Sequence, residues 1–294
     1  MENQEKKPSK ILAILWGLLV MLIYLIIMSL AQLGALIPIV VDTLNEVTAT
    51  GNMDNYMQIY TENISKNSES LTIWTFIGTL IAVIVMVLWY YFRIYKKSVS
   101  LGTYESVAPK LKNGKSILFL VLGAIACYSV DILIYDMVYL IMPNFTEAFE
   151  EVLGSVLGGF SILGFVTSWI LAPIGEELTL RGVAMHRAKQ SFGLVGCMVY
   201  SGILFGVFHM NPLQGLYAIP LGMFLGYVAY KYKSVIPCII VHAVNNIFAG
   251  FSTFLGYDTL YVPIIGLVIF GGLTIFLAKK IDFFKENQVI SDPE

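Results

Sequence analysis

The chain has 294 residues, 57% hydrophobic and only 13% charged, whereas about a quarter of a soluble domain is charged. Repeated apolar runs near 20 residues exclude an ordinary soluble globule and define an all-α, polytopic membrane protein with about eight transmembrane helices. The formal net charge of −2 says little by itself, and nothing in it points to nucleic acid as a partner.

Met1 to Lys10 is polar, with Lys6, Lys7 and Lys10 before the first apolar run. That run, Ile11 to about Val41, is too long for the core of a signal peptide and is read as a retained helix, bent or ended by Pro38. Asp42 to Leu71 reads as a polar, acidic loop. The second span covers Thr72 to about Phe92, with Trp74, Trp89, Tyr90 and Tyr91 as interfacial anchors. A basic loop with Arg93, Lys96, Lys97, Lys110, Lys112 and Lys115 leads to the third span, Ile117 to Met142, and an acidic loop follows from Pro143 to Glu151. The fourth stretch starts near Ser155 and reaches about Gln190; the fifth runs from Phe192 to Met210, where Asn211-Pro212 breaks it. The sixth covers about Leu213 to Tyr230, the seventh about Val235 to Gly250 and the eighth about Leu260 to Ala278.

These spans suggest three regions: 1–154, with three helices; 155–252, a core of four; and 253–294, the last helix and a tail. With eight spans, basic and acidic connections alternate without exception, so both termini are expected in the cytoplasm. Cys127, Cys197 and Cys238 all lie in apolar runs, and no structural disulfide is expected.

The chemistry concentrates in LAPIGEELTLRGVAMHR, Leu171 to Arg187. A bare carboxylate at membrane depth costs several kcal/mol unless it is paired or faces a wet cavity. Glu177 and Arg181 stand four apart, so on a helix they share a face and can pair. Glu176 is rotated about 100° away and has no partner on its own helix. Of the three histidines, His186 sits with Arg187 and Lys189 at a cytoplasmic helix end, which it favours electrostatically. His209 closes one apolar helix, with Phe205 four before it; a Phe at that spacing is most often plain packing. His242 and Asn246 share a face of another, and Asn245 lies off it.

A Glu in a partly dry cavity can act as general base toward water, and a His can share that water and later protonate a leaving amine. His and Asn donors can stabilise an oxyanion. The same Glu and two His could instead hold a divalent metal such as zinc, with an open position for water. The sequence does not separate these two ways of activating water, and HExxH is absent. Asp131 and Asp136 in the third span are expected, respectively, to line the cavity or bond a neighbouring helix, and to approach the outer interface.

Glu176-Glu177-x-x-x-Arg181, Phe205-x-x-x-His209 and His242-x-x-x-Asn246, in that order on separate helices, resemble the CPBP (Abi, CAAX-protease-like) family of intramembrane proteases, which includes the type II CAAX prenyl endopeptidases. The resemblance covers roughly residues 155–252. It implies Glu176 as catalytic carboxylate, Glu177 and Arg181 as a supporting ion pair, and His209 as a helper in activating water. It makes His242 and Asn246 the oxyanion-binding part or metal ligands, with Glu176, His209 and His242 as the metal set. The implied protein is an intramembrane metalloendopeptidase of a bacterial cell membrane, acting on a peptide or protein in or near the lipid bilayer. In bacterial relatives the family is linked to peptide processing or export, bacteriocin immunity and envelope regulation. A prenylated CAAX substrate is not implied, because bacteria generally lack such proteins. The alternatives are a non-catalytic immunity or scaffold protein with the same fold, and a transporter using the Glu and His residues as a proton relay. The absence of an inverted repeat weighs against the transporter.

One geometric condition is attached. Counted from the cytoplasmic edge at ~1.5 Å per residue, His242 is shallow, Glu176 deeper and His209 deepest, so convergence requires tilted or irregular helices or a fifth span that begins further out. Gly193, Gly196, Gly202 and Gly206 in that span permit close packing.

Overall fold

The computed structural model describes residues 9–51, 53–147, 161–255 and 261–281. Among them the fold is all-α, without a strand. Helix α1 spans Lys10–Thr50. Ser9 caps its start by accepting from the Leu12 amide at 3.1 Å, and Gly51, with φ 67°, closes its end. Pro38 does not end it. Proline removes one hydrogen bond, and in an apolar environment no water takes up further freed backbone groups, so the rest of the ladder persists.

The acidic segment 42–71 is not a loop either. It holds the last turns of α1, then α2 (Tyr56–Lys66) and the start of α3 (Ser68–Ser100). Asn63 of α2 donates to the Thr43 hydroxyl of α1 at 3.1 Å, so this polar surface folds back on itself. Helix α3 carries a π turn at Tyr91–Tyr95 and continues past the expected end at Phe92. The short α4 (Ala108–Lys112) lies within the basic connection, and Asn113 caps α5 (Gly114–Ile141). The expected start near Ser155, and the acidic connection beyond residue 147, lie outside the described residues.

Helix α6, residues 162–191, is interrupted by π turns at Thr167–Leu171 and Leu178–Ala184. It is followed by α7 (Leu194–Phe208), α8 (Pro212–Tyr232), α9 (Ile236–Leu255) and α10 (Tyr261–Lys280). Asn211 caps α8 through the Leu213 and Gln214 amides, with Pro212 as its first residue, where the missing N–H is harmless. All eight apolar stretches are thus helical where described. Five (α1, α3, α5, α8 and α10) are long and apolar enough to cross a membrane; α7 and the apolar part of α9 are shorter. Their outward faces are apolar, as Leu15, Leu22 and Leu30 on α1 show. The three cysteines are free.

One core joins α1, α3, α5, α6, α7, α8, α9 and Leu277 of α10. Its closest approach is between α7 and α8. A Cβ on Gly206 would lie 2.7 Å from the Gly215 carbonyl oxygen, and one on Gly222 would lie 2.8 Å from the Gly202 Cα. Gly193 and Gly196 make no such approach; the first faces open space and the second only Phe192 of its own segment. Helix α1 lies against α6, where the Trp16 indole donates to the Val183 carbonyl at 3.3 Å and Arg187 stacks over the Trp16 ring at 4.0 Å. His186 is exposed.

Candidate active site

The buried centre is the Glu177 carboxylate. Its Oε1 accepts from Arg181 Nη1 at 2.7 Å and from His242 Nδ1 at 2.9 Å. The Glu177 and Arg181 side chains are fully buried, so the pair read from helix spacing forms even where α6 turns π-helical. Arg181 uses its other donors between helices: Nε donates to Ser201 Oγ of α7 at 3.1 Å, and Nη2 to the Gly222 carbonyl of α8 at 3.2 Å. Ser201 also donates to that carbonyl, at 2.7 Å. A buried guanidinium whose Nε, Nη1 and Nη2 all donate is the condition under which such a charge is tolerated.

Glu176 is turned away from this pair. Its side chain is 14% exposed, and Oε2 stands 3.9 Å from His242 Nε2. That oxygen is buried and has no hydrogen-bond partner among the described residues. His242, 3% exposed, therefore lies between the two glutamates, one nitrogen toward each.

Phe205 brings His209 into the same place. The Phe205 ring is 1% exposed; it meets the His209 ring edge-on at 4.6 Å and the His242 ring at 5.3 Å, and the Arg181 guanidinium lies 4.6 Å over it. Phe205, the supporting residue of the Phe205-x-x-x-His209 motif, is thus the contact shared by both histidines and the arginine. The depth mismatch is met by irregularity: α6 has two π turns, α7 has only 15 residues, and His209 lies just past its end.

The hydrogen bonds also assign one donor nitrogen to each histidine. His209 Nδ1 lies 2.8 Å from the Phe205 carbonyl. A carbonyl only accepts, so Nδ1 is protonated and Nε2 holds the lone pair. Opposite the Arg181 guanidinium, Glu177 is an acceptor, so His242 Nδ1 donates and Nε2 is the nitrogen turned to Glu176.

Asn246 also ties α9 to α6. Its amide donates to the Ser168 carbonyl of α6 at 2.9 Å, not to any residue of the Glu–His cluster. The preceding Asn245 donates to Asp131 of α5 at 3.2 Å, so Asp131 does bond a neighbouring helix. Ser201, Gly222 and Ser168 were not found by sequence reading, and no periodic signal marks them.

The two Nε2 atoms suit a metal, but the grouping does not: no three His, Cys, Asp or Glu side chains among the described residues stand close enough to hold one.

The fold and this cluster define a multi-pass, all-α membrane protein with a buried polar centre. Residues 158–248 match the family model described as type II CAAX prenyl endopeptidase Rce1-like. The match supports a CAAX-type intramembrane protease. No curated protein and no solved structure matches the chain.

Proposed function

We propose that this protein is an intramembrane endopeptidase of the cell membrane, hydrolysing a peptide or protein segment held in or near the bilayer, with Glu176 as general base. One observation carries this reading: an unpartnered Glu176 Oε2 lies 3.9 Å from His242 Nε2, and the other nitrogen of His242 is held by Glu177. The gap is too long for a direct hydrogen bond and suits a water bound to both groups. Glu176 takes a proton from that water as its oxygen attacks the scissile carbonyl. His242 Nε2 receives the proton and passes it to the leaving nitrogen. The imidazolium formed in between is stabilised by Glu177, as a buried carboxylate stabilises the histidine of a hydrolytic triad. Arg181 keeps Glu177 an acceptor, and Phe205 holds the His209 ring beside His242, where its Nε2 can share the water.

The test uses purified full-length protein in proteoliposomes with a quenched peptide library. Glu176→Gln keeps the shape of the side chain and removes the base; the expected result is a loss of about 1,000-fold in cleavage rate with an unchanged melting temperature. A chelator separates the two ways of activating water: persistence of wild-type cleavage fits Glu176 acting directly, and abolition with recovery on adding zinc would establish a metal-dependent step instead. If the glutamine variant cleaves as wild type does, or if neither cleaves and both support the same cellular phenotype, the protein is a non-catalytic immunity or scaffold protein.

A further inference from the structure

Helix α6 changes register just before the two glutamates, and the change frees a backbone acceptor. In the π turn Thr167–Leu171 the Ala172 amide donates to the Thr167 carbonyl and so passes over Ser168, its partner in a regular α-helix. The next donor of the π ladder belongs to residue 173, which is a proline without an N–H. The Ser168 carbonyl is thereby left out of the ladder in both registers. Asn246 of α9 donates to it at 2.9 Å with one of its two amide N–H groups. A carbonyl oxygen has two lone pairs, so it can still take a second donor.

The surroundings say what that donor is. Ser168 is exposed, and its own hydroxyl turns back to the Gly164 carbonyl at 2.9 Å. Next to it the two helices are shut. The Trp169 ring stacks on Phe251 of α9 at 5.7 Å, and a Cβ on Gly250 would lie 2.9 Å from the indole nitrogen. Within a bilayer, irregular backbone is tolerated where it lines a wet cavity or is buried in protein, not where it meets lipid. Asn246 stands one turn of α9, about 6 Å, from His242. An extended peptide advances ~3.3 Å per residue, so the Ser168 carbonyl lies about two residues from a bond held between Glu176 and His242. A main-chain N–H is the donor that any peptide carries at such a position.

We propose that the Ser168 carbonyl is a substrate subsite, accepting the N–H of a peptide residue about two positions from the scissile bond and so aligning the peptide along the seam between α6 and α9. The inference rests on the hydrolase reading above. The subsite reads the main chain of the substrate and not its side chains. Pro173 is a positioning residue, because it keeps the carbonyl free of a main-chain partner, and Asn246 retains its second N–H for other work.

The test uses full-length protein in proteoliposomes, the best-cleaved peptide, and analogues in which one main-chain N–H at a time, other than the scissile one, is replaced by an ester oxygen. Cleavage at the scissile amide is followed by mass. In wild type, the ester about two residues from that bond should lower kcat/KM by about 10-fold. Pro173→Ala supplies the missing N–H, and the main chain takes back the carbonyl. The parent peptide should then be cleaved with kcat/KM lower by about 10-fold, chiefly through KM, and the ester penalty should shrink to within twofold. Pro173→Val restores the same N–H with a volume nearer that of proline and is measured in parallel, should the alanine variant fail to fold. The wild-type scan depends on neither variant. No ester penalty in wild type near the scissile bond, or an undiminished penalty in a folded and active Pro173 variant, overturns the subsite, while active wild type and inactive Glu176→Gln leave the hydrolase reading standing. No cleavage by wild type overturns both.

Discussion

Two carboxylates inside the helical bundle meet helix α9 one turn apart and are held in contrasting ways. Glu177 of α6 accepts from Arg181 and from His242, and Arg181 extends the network to Ser201 and Gly222. Asp131 of α5 accepts one 3.2 Å bond from the uncharged Asn245, and its Oδ1 is buried without a partner among the described residues. The first arrangement fixes a histidine tautomer and joins four helices through one guanidinium and one carboxylate. The second joins two helices through a single amide. Among the described residues each carboxylate leaves one oxygen buried without a partner, Glu177 Oε2 and Asp131 Oδ1, so what separates them is the charge and number of the donors at the other oxygen.

The largest effect expected from breaking this contrast is at Arg181. Arg181→Ala leaves the Glu177 carboxylate buried and uncompensated, which costs about 3–5 kcal/mol and lowers the melting temperature measured in detergent. Adding Glu177→Gln to that variant should restore part of the stability but not the cleavage, because a neutral amide can still accept from His242 but no longer stabilises the imidazolium formed during the reaction. Recovery of both would show that the pair serves stability alone.

A middle effect tests the contact that brings α8 to Arg181. Gly206→Ala places a Cβ 2.7 Å from the Gly215 carbonyl oxygen and should destabilise by about 1–3 kcal/mol. Cleavage should fall with it, because α8 carries the Gly222 carbonyl. A melting temperature equal to wild type would mean that the two helices separate freely.

The smallest effect is at Asp131. In Asp131→Asn the amide oxygen still accepts from Asn245, so stability should change by no more than about 1 kcal/mol, with peptide cleavage within twofold of wild type. Loss of cleavage comparable to Glu176→Gln would erase the distinction between the two carboxylates and make Asp131 part of the mechanism.

The legible parts of this protein are those governed by distance along one helix. The apolar runs announced the helices, because a segment that crosses lipid must satisfy its backbone internally and clothe it with apolar side chains. The Glu177–Arg181 pair was legible because residues four apart on a helix are neighbours whatever else the fold does. Glu176 was legible as the unpaired member for the same reason. The expected loop at 42–71 and an end at Pro38 do not occur, because polarity and proline mark an end in water but do not force one where neighbouring helices supply partners.

Everything that crosses between helices was decided by packing. Which glutamate takes His242 and why Asn246 turns to Ser168 both depend on how closely the backbones approach. That approach is set by pairs such as Gly206 and Gly215, residues on different helices. The sequence by itself determined the helices and the order of charges along each one, because those follow from backbone geometry and hydropathy. The tertiary structure alone decided which charges meet, because a periodicity within one helix carries no information about the side chain that faces it from another.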